Sequence, residues 1–297
     1  MTMSFIHVVY GGNGTTPVDS GLPRVGEIYG VEQNGNLRWY RYRGNGEQNP
    51  AGNQGWYPNS GNTIGNGWHS FRNLFSGGNG VLYGVEQNGN LRWYQYLGNG
   101  EQNPAGNQGW YSNSGNIIGN GWHSFRFIFS SPWEGREVPN RSAIYGVEQN
   151  GNLRWYRYLG NGEHNPAGNQ GWHPNSGNTI GNGWHSFRHV VAISGVILAV
   201  KENGDLLWYY YLGNGEHNPA GNQGWHPNSG NTIGNGWHSF RHIFGGYNDS
   251  YPGGIVIYGV EQNGNLRWYR YKGNGEHNPA GNQGWYPNSG NIIGNGW

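Results

Sequence analysis

The sequence predicts an all-β protein, a five-bladed β-propeller of four-stranded antiparallel blades. Three observations predict this fold: a repeated unit, an excess of Gly and Asn, and many aromatic residues. The 297 residues include 58 Gly and 44 Asn, and 15% of the residues are aromatic. Gly and Asn disfavour helices and favour turns, whereas disordered chains contain few aromatic residues. Short strands joined by tight turns therefore fit the composition.

The repeated unit occurs five times and is recognised by one short segment. The segment YGVEQNGNLRWY starts at Tyr29, Tyr83, Tyr145 and Tyr258, and a diverged copy, LAVKENGDLLWY, starts at Leu198. Successive copies lie 53 to 62 residues apart, and fifteen of the sixteen Trp residues occupy three positions per copy. Only Trp133 lies outside this pattern. A period of this length is typical of solenoids, propellers and arrays.

Each copy predicts four short strands, as the second copy illustrates. The strands are predicted at residues 70–75, 81–86, 91–96 and 114–118. Asn88 and Gly89 predict a type I′ hairpin turn between the second and third strands, in which both central residues take a positive φ. A long polar loop, residues 98–110, precedes the fourth strand. Four antiparallel strands with aromatic residues on both faces are typical of a propeller blade.

The five copies predict one propeller domain that covers residues 1–297. The blades are expected near residues 4–68, 69–122, 123–184, 185–237 and 238–297. Residues 3–9 align with residues 185–191, so the chain starts with the first strand of a blade, and it stops where the next such strand would begin. We therefore expect a ring that closes without exchange of a strand. Packing between the first and last blades would hold it closed.

Composition excludes several classes of protein. The chain has no Cys, which excludes disulfides and thiolate zinc sites. A formal net charge of +1 argues against a nucleic-acid partner. No apolar run is long enough to span a bilayer, so we expect no membrane insertion. No signal peptide is visible at the N-terminus, which favours a cytoplasmic or non-classically released protein.

The ionisable residues do not predict catalysis, a cofactor or a metal site. We assign ten of the sixteen acidic residues to two positions per copy, Glu202 among them, and interpret them as turn and loop residues. His185 and His189 are four residues apart on one predicted strand, as are His238 and His242. The loop histidines of the later copies are replaced by Gln or Tyr in the earlier ones, which argues against metal ligation. We expect neither an enzyme nor a metalloprotein.

The long loop is the best candidate for a binding site, because it recurs five times with almost no change. It carries the pattern NPAGNQGW, an aromatic residue, Pro or Ser, and then NSGN. An aromatic face can pack against the C–H patch of a sugar, and Asn amides donate to and accept from hydroxyl groups. The candidate carbohydrate-binding residues are Asn53, Trp56, Asn59, Asn62, Asn107, Trp110, Asn113, Asn116, Asn169, Trp172, Asn175, Asn178, Asn222, Trp225, Asn228, Asn231, Asn282, Trp285, Asn288 and Asn291.

A structural interpretation of the same residues remains open, because Asn and Gly also build turns and Trp can fill gaps between blades. We favour that interpretation for Trp39 and Trp68 and their equivalents. In the fourth copy the second and third strands have diverged, yet residues 213–241 are identical to residues 160–188. A functional loop would explain this difference, and so would a recent duplication with patchy exchange.

The repeat resembles that of the tachylectin-2 family. The resemblance rests on a hydrophobic residue followed by Tyr-Gly-Val, a hairpin, an aromatic strand, IGNGW and a following SFR, and it covers essentially the whole chain. The closest stretch runs from Ile118 to Phe129. It implies a five-bladed propeller with one metal-free sugar site per blade, between neighbouring blades, for N-acetylglucosamine and N-acetylgalactosamine, and a link to innate recognition. The chain departs from the family pattern in its longer GNGExNPA loop.

These observations lead to the hypothesis of a multivalent lectin with about five equivalent sites. N-acetylated sugars are the favoured ligands, because an aromatic ring can pack the acetyl methyl while an amide bonds the acetamido group. Several weak sites on one body gain about 10²–10⁴-fold in avidity on a dense glycan surface. We expect a monomer or weak oligomer. The alternative is a protein-interaction propeller that uses unequal insertions on one face, at residues 11–24, 130–142 and 245–254.

Overall fold

The computed structural model describes residues 5–13, 26–131, 142–246 and 254–297, which form five four-stranded sheets. The first blade contains β1 (Phe5–Asn13), β2 (Gly26–Glu32), β3 (Leu37–Arg41) and β4 (Asn62–Gly65). The second contains β5 (Asn73–Gly78), β6 (Val81–Val85), β7 (Leu91–Gln95) and β8 (Asn116–Gly119). The third contains β9 (Phe127–Ser131), β10 (Ala143–Val147), β11 (Leu153–Arg157) and β12 (Asn178–Gly181). The fourth contains β13 (Phe187–Ile193), β14 (Val196–Lys201), β15 (Leu206–Tyr210) and β16 (Asn231–Gly234). The fifth contains β17 (His242–Gly246), β18 (Ile255–Val260), β19 (Leu266–Tyr271) and β20 (Asn291–Gly294).

The strands of every sheet follow one another in chain order and pair antiparallel. The first strands of the five blades contact one another in a ring: β1 with β5, β5 with β9, β9 with β13, β13 with β17, and β17 with β1. The predicted five-bladed propeller is therefore confirmed. Each blade takes its four strands from one continuous stretch of chain, as the closure hypothesis expected.

The hairpin between the second and third strands differs from the predicted type I′ turn. The N–H of Gly89 donates to the carbonyl of Glu86 at 3.0 Å, and the N–H of Glu86 donates to the carbonyl of Asn90 at 2.9 Å. Of the turn residues only Gly89 has a positive φ, of 92°. This arrangement matches a three-residue loop that ends in a left-handed residue. Asn88 instead accepts the N–H of Asn90 through its side chain at 3.0 Å.

The first strand of the second blade starts later than predicted, at residue 73 instead of 70. A 3₁₀ turn over Trp68–Ser70 occupies the preceding residues. The same turn recurs at Trp122–Ser124, Trp184–Ser186 and Trp237–Ser239. The fourth strand is also displaced, to residues 116–119. The pattern of alternating residues alone did not separate the turn from the strand that follows it.

The core lies between blades. Trp39 is fully buried and clusters with Phe71 and Tyr96 of the second blade. Its equivalents Trp93, Trp155, Trp208 and Trp268 are at most 3% exposed. The interpretation of the Trp39 class as filling between blades is confirmed. None of the helices in the described ranges has the length and apolar character needed to cross a bilayer.

The inner strands are also joined by histidine side chains. Nε2 of His7 lies 3.1 Å from the carbonyl oxygen of Phe71, and Nε2 of His242 lies 3.2 Å from that of Phe5. Because a carbonyl only accepts, each Nε2 carries the proton and donates it. Burial lowers the pKa of both imidazoles. These neutral histidines link successive blades near the propeller axis.

Candidate functional site: clefts between neighbouring blades

The long loop of each blade lies along the outer strand of the preceding blade. In the second blade the N–H of Asn103 donates to the carbonyl of Thr63 at 2.7 Å, and the N–H of Thr63 donates to Oε1 of Gln102 at 3.0 Å. The same contact closes the ring, because the N–H of Asn49 donates to the carbonyl of Ile292 at 2.7 Å. The loop therefore forms much of the interface between neighbouring blades.

Three of the four candidate positions take part in this interface, and two of them are Asn. Nδ2 of Asn59 donates to the carbonyl of Asn99 at 2.8 Å, and Nδ2 of Asn62 donates to that of Gly100 at 2.9 Å. The bonds recur from Asn113, Asn175, Asn228 and Asn288, and from Asn116, Asn178, Asn231 and Asn291. Their amide hydrogens thus serve blade assembly, which the sequence pattern did not reveal. As ligand contacts these positions stay a prediction.

The candidate Trp residues each form half of an aromatic pair. Trp110 stacks on Trp68 of the preceding blade, with ring centroids 5.4 Å apart and planes 28° apart. The other pairs are Trp122–Trp172, Trp184–Trp225, Trp237–Trp285 and Trp297–Trp56, at 5.6–5.7 Å and 28–30°. The last pair joins the fifth blade to the first. The Trp68 class, interpreted from the sequence as filling gaps between blades, therefore also supplies one of the two rings of each stacked pair.

The two indoles of a pair differ in their hydrogen bonding. Nε1 of Trp110 donates to the carbonyl of Ile64 at 3.3 Å. Within the described residues no hydrogen bond engages Nε1 of Trp68, which faces the small Gly65. A methyl group on Gly106 would lie 3.2 Å from Cα of Gly65, and Gly106 has a φ of 66°. Glycine at these positions thus allows two backbones to approach and leaves an N–H donor at the cleft.

Clefts lie over two of these pairs. One, of ≈ 480 Å³ between the first and second blades, is lined by Trp68, Trp110, Tyr94, Glu86 and Arg92, among others. The other, of ≈ 430 Å³ between the third and fourth blades, is lined among others by Trp184, Trp225, Tyr209, His226 and Asn222. Both volumes fall in the range of small-molecule sites. Both clefts are lined by a member of the Trp56 class, and the second is also lined by Asn222 of the Asn53 class. Asn107 does not line the first cleft, and neither cleft is lined by the Asn59 or Asn62 class.

The Asn53 class is the most accessible of the predicted positions. Asn53, Asn107, Asn169, Asn222 and Asn282 are exposed. None of their side chains makes a hydrogen bond within the part of the chain that the structure describes. Each amide therefore retains both its donors and its acceptor.

An ion pair forms one wall of the first cleft. Nε of Arg92 lies 2.5 Å from Oε1 of Glu86, and Nδ2 of Asn90 donates to Oε2 at 2.9 Å. Partial burial opposes ionisation of Glu86, but the bonds from Arg92 and Asn90 outweigh it and lower the pKa of the carboxyl. Glu86 is thus ionised at neutral pH and faces the cleft. The sequence interpretation as a simple turn residue missed this role, although the Arg six residues later was a signal.

The assignment of Glu202 to this repeated position was wrong. The N–H of Lys201 donates to the carbonyl of Asp205 at 2.9 Å, as that of Glu86 does to Asn90. Lys201 therefore occupies the place of Glu86, and Glu202 lies one residue later. Glu202 pairs instead with Arg188 at 3.4 Å.

The second acidic position holds the loop in shape. Oε2 of Glu101 accepts the N–H of Asn99 at 2.8 Å, and the hydroxyl of Tyr96 is 3.4 Å away. The equivalents Glu47, Glu163, Glu216 and Glu276 accept the corresponding N–H at 2.8 Å. The interpretation of these residues as acceptors within the loop is confirmed.

The spaced histidine pairs do not lie on one strand. His185 and His238 belong to 3₁₀ turns, whereas His189 and His242 lie on inner strands. Among the described residues, no group of three or more His, Asp or Glu side chains is arranged to hold a metal ion. The three insertions proposed as a protein-binding face fall largely in residues 14–25, 132–141 and 247–253, outside the described residues, and that alternative stays untested.

The fold and the stacked Trp pairs define the chain as a repeat protein, a five-bladed propeller with an aromatic pair between neighbouring blades. The family model named Tachylectin matches residues 30–297. The chain belongs to the Tachylectin family. The resemblance seen in the repeat is thereby confirmed. No curated protein matches the chain significantly.

Solved structures are similar only at low sequence identity. The fucose-specific lectin from Aleuria aurantia is 14% identical, with 99% of this chain and 98% of that chain covered and a TM-score of 0.48. A triple mutant of AofleA from Arthrobotrys oligospora is 10% identical, with 98% and 88% covered and a TM-score of 0.47. Prp20p from Saccharomyces cerevisiae is 12% identical, with 82% and 56% covered and a TM-score of 0.37. Similarity at this level carries no argument about function.

Proposed function

We propose that the protein is a non-enzymatic lectin that binds glycans in the clefts between blades, with N-acetylated sugars such as N-acetylglucosamine and N-acetylgalactosamine as its ligands. The observation that carries the proposal is the cleft over Trp68 and Trp110, in which an aromatic floor is bordered by unengaged polar groups. Membership of the Tachylectin family supports it.

The chemistry of the cleft suits a neutral sugar. Indole faces pack the C–H patches of a pyranose or an acetyl methyl group. Nε1 of Trp68 offers a donor, and the carboxylate of Glu86 accepts hydrogen bonds from hydroxyl groups. Burial raises the pKa of Tyr94 to about 12, so its phenol keeps its proton near this cleft at neutral pH. In the cleft between the third and fourth blades, the amide of Asn222 can satisfy both the N–H and the carbonyl of an acetamido group.

The repeat makes the protein multivalent under this proposal. Each site is open and polar, which favours weak binding of one sugar. The blades form one continuous ring of contacts, so the sites are held at fixed spacings. On a surface with dense glycans, fixed sites gain about 10²–10⁴-fold in apparent affinity.

A glycan array followed by calorimetry tests the proposal. We expect binding to terminal N-acetylglucosamine or N-acetylgalactosamine, and agglutination of cells that display them. A fivefold variant, with Asn53, Asn107, Asn169, Asn222 and Asn282 changed to Ala, should lose most of this binding and keep its melting temperature, since these side chains are exposed and unengaged.

The matched control changes the neighbouring residues Gln54, Gln108, Gln170, Gln223 and Gln283 to Ala. These side chains are also exposed, and neither of the two clefts is lined by one of them. The control should bind like the parent. An array without glycan binding would refute the lectin proposal, and selective binding of other sugars, such as fucosides, would refute the preference for N-acetylated sugars.

A further inference from the structure

We propose that the five stacked Trp pairs do not form equivalent sugar sites. Four of them lie beside a Glu–Arg wall that fixes the hydroxyl groups of a neutral sugar. The cleft between the third and fourth blades lacks this wall and binds the same sugar far more weakly. This inference rests on the proposed lectin function. It replaces five equal sites by four strong sites and one weak site.

The same residue types form the wall in four blades, although the Glu32 side chain of the first blade is only 9% exposed, against 24–28% for its equivalents. Besides Arg92 and Glu86, the ion pairs are Arg38–Glu32 at 3.0 Å, Arg154–Glu148 at 2.9 Å and Arg267–Glu261 at 2.6 Å. In each, the second carboxylate oxygen accepts from the Asn four residues after the Glu, at 2.9–3.1 Å. Nη1 of the Arg donates to a backbone carbonyl, for example from Arg154 to Gly177 at 2.9 Å. Every member is therefore held in place, while the carboxylate keeps lone pairs for a ligand.

The fourth blade replaces all three members of the wall. Lys201, Asp205 and Leu207 stand where the second blade has Glu86, Asn90 and Arg92. The hairpin itself is unchanged, since Gly204 N–H donates to the carbonyl of Lys201 at 3.0 Å. Within the described residues, neither Lys201 nor Asp205 forms an ion pair. A cation thus replaces the Glu of the wall, an acidic residue replaces its Asn, and no ion pair links the two.

The exchange alters the surface of the cleft. Leu207 is only 4% exposed and belongs to the apolar cluster between the third and fourth blades. In the other four blades the Arg of the wall donates to the carbonyl of a half-buried Gly: Gly61, Gly115, Gly177 and Gly290. Their equivalent Gly230 has no such Arg and is exposed. Neither Lys201 nor Leu207 lines this cleft, although Glu86 and Arg92 line the cleft of the second blade. The cleft between the third and fourth blades therefore has no charged wall at the hairpin.

The rest of this cleft is intact. Trp184 stacks on Trp225 at 5.7 Å, and Nε1 of Trp225 donates to the carbonyl of Ile180 at 3.2 Å. Nδ2 of Asn182 donates to the carbonyl of Pro219 at 2.7 Å.

His226 lines this cleft where Tyr111 lines that of the second blade. The third blade, which keeps the wall, has the same loop as the fourth, since residues 160–188 and 213–241 are identical. The hairpin therefore separates the fourth blade from the third, and the aromatic floor and Asn222 are left to bind a sugar there.

The chemical consequence is a loss of hydrogen bonds to charged groups. A carboxylate and a guanidinium locked in one geometry bind hydroxyl groups with defined direction, whereas a lone Lys is a flexible point charge. Losing one such bond weakens binding by roughly 10- to 100-fold. We therefore expect the cleft between the third and fourth blades to remain empty at sugar concentrations that fill the other four.

Calorimetry with a monovalent sugar chosen from the array tests the inference by its stoichiometry. The parent protein should bind four sugars per chain. The triple variant Lys201→Glu, Asp205→Asn and Leu207→Arg rebuilds the wall and should bind five. The converse variant Glu86→Lys, Asn90→Asp and Arg92→Leu should bind three, and thermal melts check that each variant is folded.

Five equal sites in the parent would overturn the inference, as would an unchanged count of four in both folded variants. These results would leave the lectin proposal standing. Absence of binding to every sugar would refute both together, and the glycan array reveals that outcome before the stoichiometry is measured.

Discussion

The second and fourth blades have the same stacked Trp pair and long loops, residues 98–110 and 213–225, that differ only at Gln102 and His217, but their hairpins differ. Trp68–Trp110 and Trp184–Trp225 differ by only 0.3 Å in centroid distance, 5.4 against 5.7 Å. The hairpin of the second blade carries the Glu86–Arg92 pair, and that of the fourth carries Lys201. Two parts of the repeat therefore have different roles. The loop and the Trp residues hold neighbouring blades together, whereas the hairpin can change without altering the contacts between blades.

The same separation applies near the axis. At one inner-strand position the second blade has Asn73, the third has Phe127, and the fourth has His189. All three occur on strands that contact their neighbours in the ring. Assembly of the blades thus depends on the outer contacts and on the buried Trp residues more than on the identity of this side chain.

The largest effect is expected from removing the Trp that both blades share. Trp110→Ala and Trp225→Ala each delete a half-buried indole, its stacking contact with the Trp of the preceding blade and a hydrogen bond to a carbonyl. We expect each to lower the free energy of unfolding by about 3 kcal/mol, since large aromatic deletions cost about 3–5 kcal/mol in cores. Denaturant titration measures both. Clearly unequal losses would contradict the view that the two blades are assembled alike.

A smaller loss is expected from the amides that join the blades. Asn116→Ala removes the bond to the carbonyl of Gly162, and Asn231→Ala removes the bond to Gly275, both of 2.9 Å. Each substitution should destabilise the protein by about 1–2 kcal/mol, because a half-buried carbonyl loses its donor. Asn107→Ala, whose side chain is exposed, is the control and should leave stability unchanged. Equal stability of all three variants would show that these amides do not hold the ring.

Acid should weaken the fourth blade through its inner histidine. Burial, and then the charge of Arg188, lowers the pKa of His189 from 6.5. The unfolded chain therefore binds the proton more readily, so stability is full above pH 6.5 and declines as the pH falls below it. His189→Asn, which introduces the residue of the second blade, should flatten this decline. Melting temperatures from pH 8 to 5 measure it; parallel curves for the two proteins would count against this cause.

The smallest effect on stability is expected from the hairpin. Arg92→Leu introduces the residue of the fourth blade and breaks an ion pair whose side chains are 31% and 25% exposed. Exposed pairs of this kind contribute about 0–1 kcal/mol. We expect a change below about 1 kcal/mol in the free energy of unfolding, together with loss of sugar binding at that cleft. A loss of stability as large as that of Trp110→Ala would show that the ion pair also holds the blades together, which contradicts its proposed role in binding alone.

Much of the fold was predictable because its signals are local. The repeats and the apolar and aromatic residues of Val81–Val85 and Leu91–Gln95 predicted both strands to within a residue. The turn type was not predicted correctly. A type I′ turn needs a positive φ at two residues, but only Gly89 has one, and the side chain of Asn88 bonds the N–H of Asn90. The candidate loop was located, but Asn59 and Asn62 could not be recognised as assembly residues. Their acceptors belong to another blade.

The sequence by itself determined the number of blades, the order of their strands and the positions of the Trp residues, since these depend on periodicity and on the alternation of side chains. Only the tertiary structure decided which Trp meets which. Trp56 stacks on Trp297 because ring closure brings the first loop onto the last outer strand. It also decided that Glu86 and Arg92 border a cleft while Lys201 and Leu207 do not. A cleft is formed by two blades together, and no single repeat contains it.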